Sequence, residues 1–124
     1  MRIGLIYRES RPLSGWRATS ASWSGSGPQF SWHAGFLTAA GSDAQYVGLD
    51  QATQDPAEFR EQTTRADEPG RTVTLAGRSW QVWTSVDHDE TALVRTDKGG
   101  ATTIVSGTAS LSVLQTFAGS LSTG

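Results

Sequence analysis

The alternation in the run "FSWHAGF" limits the fold more than any other feature of this chain. Phe30, Trp32, Ala34 and Phe36 occupy alternate positions, which is the period of a β-strand with one face in a core. We therefore predict a strand over residues 30–38, with His33 on its opposite side. Because a strand buries its apolar face only against other elements, this run requires a sheet around it.

Short connections separate the remaining strand candidates. The pair "AG" fits a tight hairpin turn, since Gly77 can take a positive φ angle, and "DKGG" gives a second turn with two glycines. Connections this short disfavour the crossover helices of a doubly wound α/β fold, so the sheet should be antiparallel. The further predicted strands cover residues 3–7, 16–23, 45–49, 72–75, 78–86, 92–96 and 102–106.

Two segments carry helix signals. The first, "DPAEF", offers Asp55 as N-cap, Pro56 at the first helical position and Glu58 where it can close a capping box, so a helix should run to about residue 65. The second has Ser110 or Thr108 as a cap. Its apolar stripe consists of Leu111, Leu114, Phe117, Ala118 and Leu121.

The predicted fold is therefore α+β. The 124 residues suit one domain with one core. We expect an antiparallel sheet of about seven or eight short strands with two helices packed on it.

The stretch "SGWRATSASWSGS" sets two tryptophans in a polar run. In a regular strand Trp16 and Trp23 point to opposite faces, so one should be deeply buried and the other partly exposed; Trp80 and Trp83 should also face opposite ways. We interpret these rings mainly as packing on both faces of the sheet. The alternatives are a groove for an apolar or glycan ligand, or a patch for a partner protein. The candidate ligand-binding residues are Trp16, Arg17, Trp32, His33 and Trp83.

Charge and reactive residues argue against several functions. The net charge is −2 and the basic residues are scattered, so no basic patch favours nucleic acid. Cysteine is absent, which excludes disulfides and thiolate sites.

Three acids surround His88, but no second cluster has a zinc-ligand spacing, so we interpret this segment as a solvated loop and expect no metal and no cofactor. There is no G-x-S-x-G elbow, and we expect no enzyme.

Several short motifs occur in a familiar order. They are "GWRATS", "WHAGFLT", "YVGLDQA", "GRSWQVW", "ALVR" and "IVSGTASLSVLQTFAGSL". Together they resemble an actinobacterial family known as domain of unknown function 4245, over residues 15–121. The resemblance implies an extracytoplasmic domain, because members carry an N-terminal transmembrane helix. We expect that this chain lacks the anchor. The order of elements is also similar to that of PsbP-like α/β/α sandwiches, which are accessory or binding modules.

These observations favour a non-catalytic binding or adaptor domain, which the resemblance places at the outer face of the cytoplasmic membrane. Its partner would be a protein or an envelope lipid or glycan, and not a nucleic acid. One alternative is a small hydrolase that uses His88 with Asp87 or Asp89. Another is a carrier domain for a lipid or glycan of the cell envelope.

Overall fold

Seven strands and two helices make up the part of the chain that the structure, a computed structural model, describes: residues 16–26, 29–38, 44–97 and 100–121. The predicted strand over residues 3–7 lies outside these ranges. The strands are β1 (Arg17–Ser26), β2 (Gln29–Leu37), β3 (Tyr46–Ala52), β4 (Glu68–Leu75), β5 (Arg78–Ser85), β6 (Glu90–Thr96) and β7 (Thr102–Gly107). The helices are α1 (Pro56–Thr63) and α2 (Leu111–Ser120). The predicted α+β class is confirmed.

All seven strands belong to one antiparallel sheet, in the order β1-β2-β3-β7-β6-β5-β4. Two meanders, β1 to β3 and β4 to β7, meet where β3 pairs with β7. The turn between β4 and β5 has positive φ angles at Ala76 (51°) and Gly77 (81°), as a type I′ hairpin requires. The tight turn predicted at Gly77 is therefore confirmed.

The two helices cover opposite faces of the sheet. Phe59 of α1 packs in a cluster with Ile104, whereas Leu114 and Phe117 of α2 pack in the main core with Val105. Because consecutive residues of a strand point to opposite sides, Ile104 and Val105 mark two faces, called here the α1 face and the α2 face. The molecule is layered as helix, sheet and helix.

Both helices begin at the predicted caps. The Asp55 carboxylate accepts a hydrogen bond from the backbone N–H of Glu58, and the Ser110 hydroxyl accepts one from Val113. Helix α1 ends at Thr63, two residues earlier than expected, because Thr64 is extended and donates its hydroxyl to Glu90. A tertiary contact therefore sets this helix end.

A β-bulge interrupts the pairing of β1 with β2. Ala18 pairs with Phe36 and Ser20 pairs with Gly35, so Thr19 has no opposite residue. One extra residue in a strand shifts the alternation of all side chains beyond it. The two ends of β1 therefore do not follow a single period of two.

This bulge overturns the prediction made for the two tryptophans. Both lie on the α2 face: Trp16 stacks on Phe117 with ring centroids 5.3 Å apart, and Trp23 stacks on Phe30 at 5.8 Å. Trp16 is half-buried and Trp23 is 54% exposed, so neither is deeply buried. The expectation of opposite faces was wrong because it assumed an uninterrupted strand.

The variant Gly119→Ala should stabilise the protein by about 0.5 to 1 kcal/mol. The residue lies within α2, where alanine restricts the unfolded chain without straining the folded one. An added Cβ would lie 3.8 Å from the Cβ of Leu75, an ordinary contact. Urea unfolding measures the change, and a lower midpoint would show that the contact between α2 and β4 has no room for a methyl group.

Candidate functional site

A polar groove of about 400 Å³ lies on the α1 face, between α1 and the strands β2, β3 and β7. Gln62 and Thr63 of α1 line it from the helix side. The other lining residues are His33, Tyr46, Gly48, Asp50, Glu90, Ser106, Gly107 and Thr108. We call this space the His33 groove.

A row of hydrogen-bonded side chains forms the floor of the groove. His33 and Asp50 are directly paired across β2 and β3, and His33 Nδ1 lies 2.7 Å from Asp50 Oδ1. On its other side, His33 Nε2 lies 3.0 Å from the Tyr46 hydroxyl, which is also hydrogen-bonded to Ser20. Since an ionised carboxylate only accepts, Nδ1 carries the proton, and Nε2 of the neutral ring accepts from Tyr46.

Two glycines make room for the tyrosine ring. Gly35 and Gly48 are paired across β2 and β3. A Cβ atom on Gly35 would lie 2.7 Å from the hydroxyl oxygen of Tyr46, and one on Gly48 would lie 3.3 Å from Cε2 of the same ring. The ring of Tyr46 therefore lies directly over the backbone of the sheet, where any larger residue would displace it.

The surroundings of this row shift two pKa values. The hydrogen bond that His33 donates to Asp50, aided by the negative charge of Asp50, raises the pKa of His33 above 6.5, although burial acts in the opposite direction. Burial and the charge of Asp50 raise the pKa of Tyr46 above 10.0, against the effect of the Ser20 hydrogen bond. The phenol thus stays protonated at neutral pH, and its oxygen donates to Nε2 of the neutral His33 ring or accepts from Nε2 of the protonated ring.

The protein should lose stability as the pH rises through the pKa of His33. A pKa raised in the folded state means that the contribution is complete below about 6.5, the unfolded value, and disappears above the folded-state pKa. An NMR titration of the His33 ring should give a midpoint above 6.5, and Asp50→Asn should lower that midpoint. A midpoint at or below 6.5 in the parent would contradict the prediction.

A family profile described as a protein of unknown function (DUF4245) matches residues 11–121, which is most of the chain. The chain belongs to this family. Searches of curated protein sequences and of solved structures found no match. Within the described ranges, no helix of this DUF4245 protein is long and apolar enough to cross a membrane.

Of the residues proposed from the sequence, only His33 lies in the groove of the DUF4245 protein. Trp16 and Arg17 lie at the beginning of β1, and Trp16 packs on the α2 face. Trp32 is 3% exposed in the core of that face, where its Nε1 donates to the Gln51 side chain at 3.2 Å. Trp32 and His33 both line a neighbouring groove, whereas Trp16, Arg17 and Trp83 line neither that groove nor the His33 groove.

The fifth proposed residue, Trp83, also lies on the α1 face, but it belongs to β5 and does not line the His33 groove. The Arg60 guanidinium lies 4.0 Å from the centroid of its ring, so a cation–π contact covers it. Trp80 is buried in the main core of the other face, which confirms that these two tryptophans point in opposite directions. Trp83 belongs to the packing of α1.

Sequence reasoning missed Tyr46 and Asp50. The signal was present in "YVGLDQA", where Tyr46, Gly48 and Asp50 alternate on one face of a strand. Their meeting with His33 depends on the register of the hairpin with β2, which the alternation alone does not give.

His88 lies in the turn between β5 and β6 and is exposed. Its backbone N–H donates to the Ser85 hydroxyl, and its Nδ1 lies 3.3 Å from Nη1 of Arg65. No group of three or more His, Cys, Asp or Glu side chains able to hold a metal occurs in the described part of the chain. This arrangement agrees with the interpretation of a solvated loop.

The variant His88→Ala should change the free energy of unfolding by less than about 0.5 kcal/mol, because the ring makes few contacts. Thermal unfolding of the parent should also be unaffected by a chelator. A large loss of stability in the variant, or a chelator-sensitive midpoint in the parent, would contradict this prediction.

Proposed function

We propose that this DUF4245 protein is a non-catalytic binding module that holds a small polar ligand in the His33 groove. The observation that carries the proposal is the row Asp50–His33–Tyr46 on the groove floor. Its hydrogen bonds fix the direction of donors and acceptors before a ligand arrives, which lowers the ordering cost of binding. The groove is open, and the polar side chains that line it can fix the orientation of a ligand.

The same geometry supports binding over catalysis. Asp50, His33 and Tyr46 are connected as the acid, the base and the hydroxyl of a catalytic triad are, but here the hydroxyl belongs to a ring that packs on Gly35 and Gly48 and is also hydrogen-bonded to Ser20. Burial raises the pKa of Tyr46, which makes its hydroxyl harder to ionise as a nucleophile and favours its use as a hydrogen-bonding group. For the alternative of a hydrolase, His88 lies exposed in the turn between β5 and β6, where its ring Nδ1 lies 3.3 Å from Nη1 of Arg65.

The binding proposal can be tested with a panel of small polar molecules: amino acids, nucleosides, nucleotides, polyols and neutral sugars. In ¹⁵N NMR spectra, a binder should shift amide signals of residues 46–50 and 104–108. The variant Gly35→Ala should weaken this response, because its Cβ displaces the Tyr46 hydroxyl and Ser20. Thr74→Ala, on the exposed edge strand β4, is the matched control. Shifts confined to the α2 face, or none at millimolar concentrations, would refute the proposal.

We further propose that the module acts at the outer face of the cytoplasmic membrane as a tethered adaptor. The support is the resemblance described above to relatives with an N-terminal membrane helix. In cells that produce the native protein, protease added outside the membrane should degrade this domain while a cytoplasmic marker survives. Protection of the domain until the cells are lysed would contradict the proposed location.

A further inference from the structure

We propose that the ligand of the His33 groove is a neutral carbohydrate, with one sugar ring stacked on Tyr46 and its hydroxyls bound by Asp50 and Gln62. This inference rests on the proposed function and names the class of ligand. Three properties of the groove lead to it: an aromatic surface, a mixture of donors and acceptors, and a lining without lysine or arginine among the described residues.

The aromatic surface is the ring of Tyr46. One side of the ring lies over Gly35 and Gly48, and the residue is 37% exposed where it lines the groove. A sugar ring presents several C–H groups on one face, and these carry a small positive charge. They pack favourably on the negative face of an aromatic ring. Because the ring of Tyr46 already packs against the two glycines, it is held in position for stacking before a sugar binds.

The polar groups beside this ring can serve sugar hydroxyls, each of which donates and accepts. Asp50 uses Oδ1 for His33, and none of the hydrogen bonds between described residues uses Oδ2. That oxygen can accept charge-assisted hydrogen bonds from hydroxyls. The Oε1 atom of Gln62 accepts from Gln54 at 2.9 Å, which orients the amide and leaves its N–H groups as donors. The hydroxyls of Thr63 and Ser106 line the same space.

The charges of the groove favour a neutral ligand. Its ionisable lining residues are His33, Tyr46, Asp50 and Glu90, and no lysine or arginine is among the described residues that line it. His33 is paired with Asp50, and Glu90 accepts a hydrogen bond from Thr64. A phosphate or carboxylate would therefore meet two acidic side chains, while the positive charge of a protonated His33 is already paired with Asp50. Nucleotides and free amino acids fit this environment less well than sugars.

The shape favours more than one sugar unit. A second groove of about 300 Å³ shares His33, Asp50, Gln62 and Thr63 with the first. It continues past Gln54 and Phe59 and over three serines and two tryptophans, Trp23 and Trp32, of β1 and β2. These serines are Ser22, Ser24 and Ser31. Because the two spaces adjoin at four shared side chains, a short oligosaccharide can occupy both, and each added unit contributes further hydrogen bonds.

The test uses neutral trisaccharides of glucose, mannose and N-acetylglucosamine, titrated by NMR beside their monosaccharides, a nucleoside monophosphate and glutamate. At least one trisaccharide should shift groove amides with an affinity about fivefold or more above that of its monosaccharide. Tyr46→Ala and Asp50→Asn should each weaken binding by about tenfold or more. Tyr46→Phe keeps the ring and should retain more affinity than Tyr46→Ala. Thr74→Ala should bind like the parent.

The outcomes separate the two proposals. If the phosphate or glutamate probe shifts the groove amides and no saccharide does, the carbohydrate inference is wrong and the binding module stands. If Tyr46→Phe and Tyr46→Ala lose affinity equally in spectra that show folded protein, stacking on the ring is refuted. If no probe of any class shifts the groove, both proposals fail.

Discussion

Replacing Phe117 by alanine should lower the free energy of unfolding by about 3 to 5 kcal/mol, the range for removal of a large buried aromatic ring. Phe117 is fully buried, and it contacts rings from two other elements. Its centroid lies 5.3 Å from that of Trp16 and 5.2 Å from that of Phe36. The variant therefore removes the ring of α2 that packs on Trp16, the residue before β1, and on Phe36 of β2.

Chemical denaturation with linear extrapolation measures this change. Leu114→Ala, the other fully buried position of α2, should cost about 2 to 5 kcal/mol. Thr116→Ala, on the exposed side of the same helix, is the control and should stay within about 0.5 kcal/mol of the parent. A loss below about 0.5 kcal/mol for Phe117→Ala would show that α2 is not docked on the sheet.

Gly107→Ala should destabilise the protein by about 3 kcal/mol or more, because two independent costs meet at this residue. Its φ angle is +152°, a conformation that side chains rarely adopt. An added Cβ would also lie 2.1 Å from the backbone carbonyl oxygen of Tyr46, which cannot move without breaking the pairing of β3 with β7. The same substitution should disturb the His33 groove, since Gly107 lines it.

The control for Gly107→Ala is Gly77→Ala. Gly77 also has a positive φ angle, +81°, but no atom lies within 4 Å of the position of its added Cβ. It should therefore show the backbone cost alone, about 1 to 2 kcal/mol. If the two variants lose the same free energy of unfolding, β3 moves aside at no cost. That result would contradict the predicted clash between the added Cβ and the Tyr46 carbonyl.

The sequence by itself determined the local elements of this protein. The alternation around Trp32, the caps at Asp55 and Ser110 and the turn at Gly77 all appear in the structure close to where they were predicted. Each depends on interactions within a few residues, such as the direction of alternate side chains or a cap bonded to the third residue after it. Such interactions can be inferred from neighbouring letters.

The tertiary structure decided the faces, the register and therefore the candidate site. The bulge at Thr19 put Trp16 and Trp23 on one face, and the pairing of β2 with β3 brought His33 to Asp50. Neither is visible in a single strand, because a shift of one residue exchanges the two faces while the local pattern stays the same. The energy that selects one register comes from contacts between distant segments, and those contacts exist only in the folded sheet.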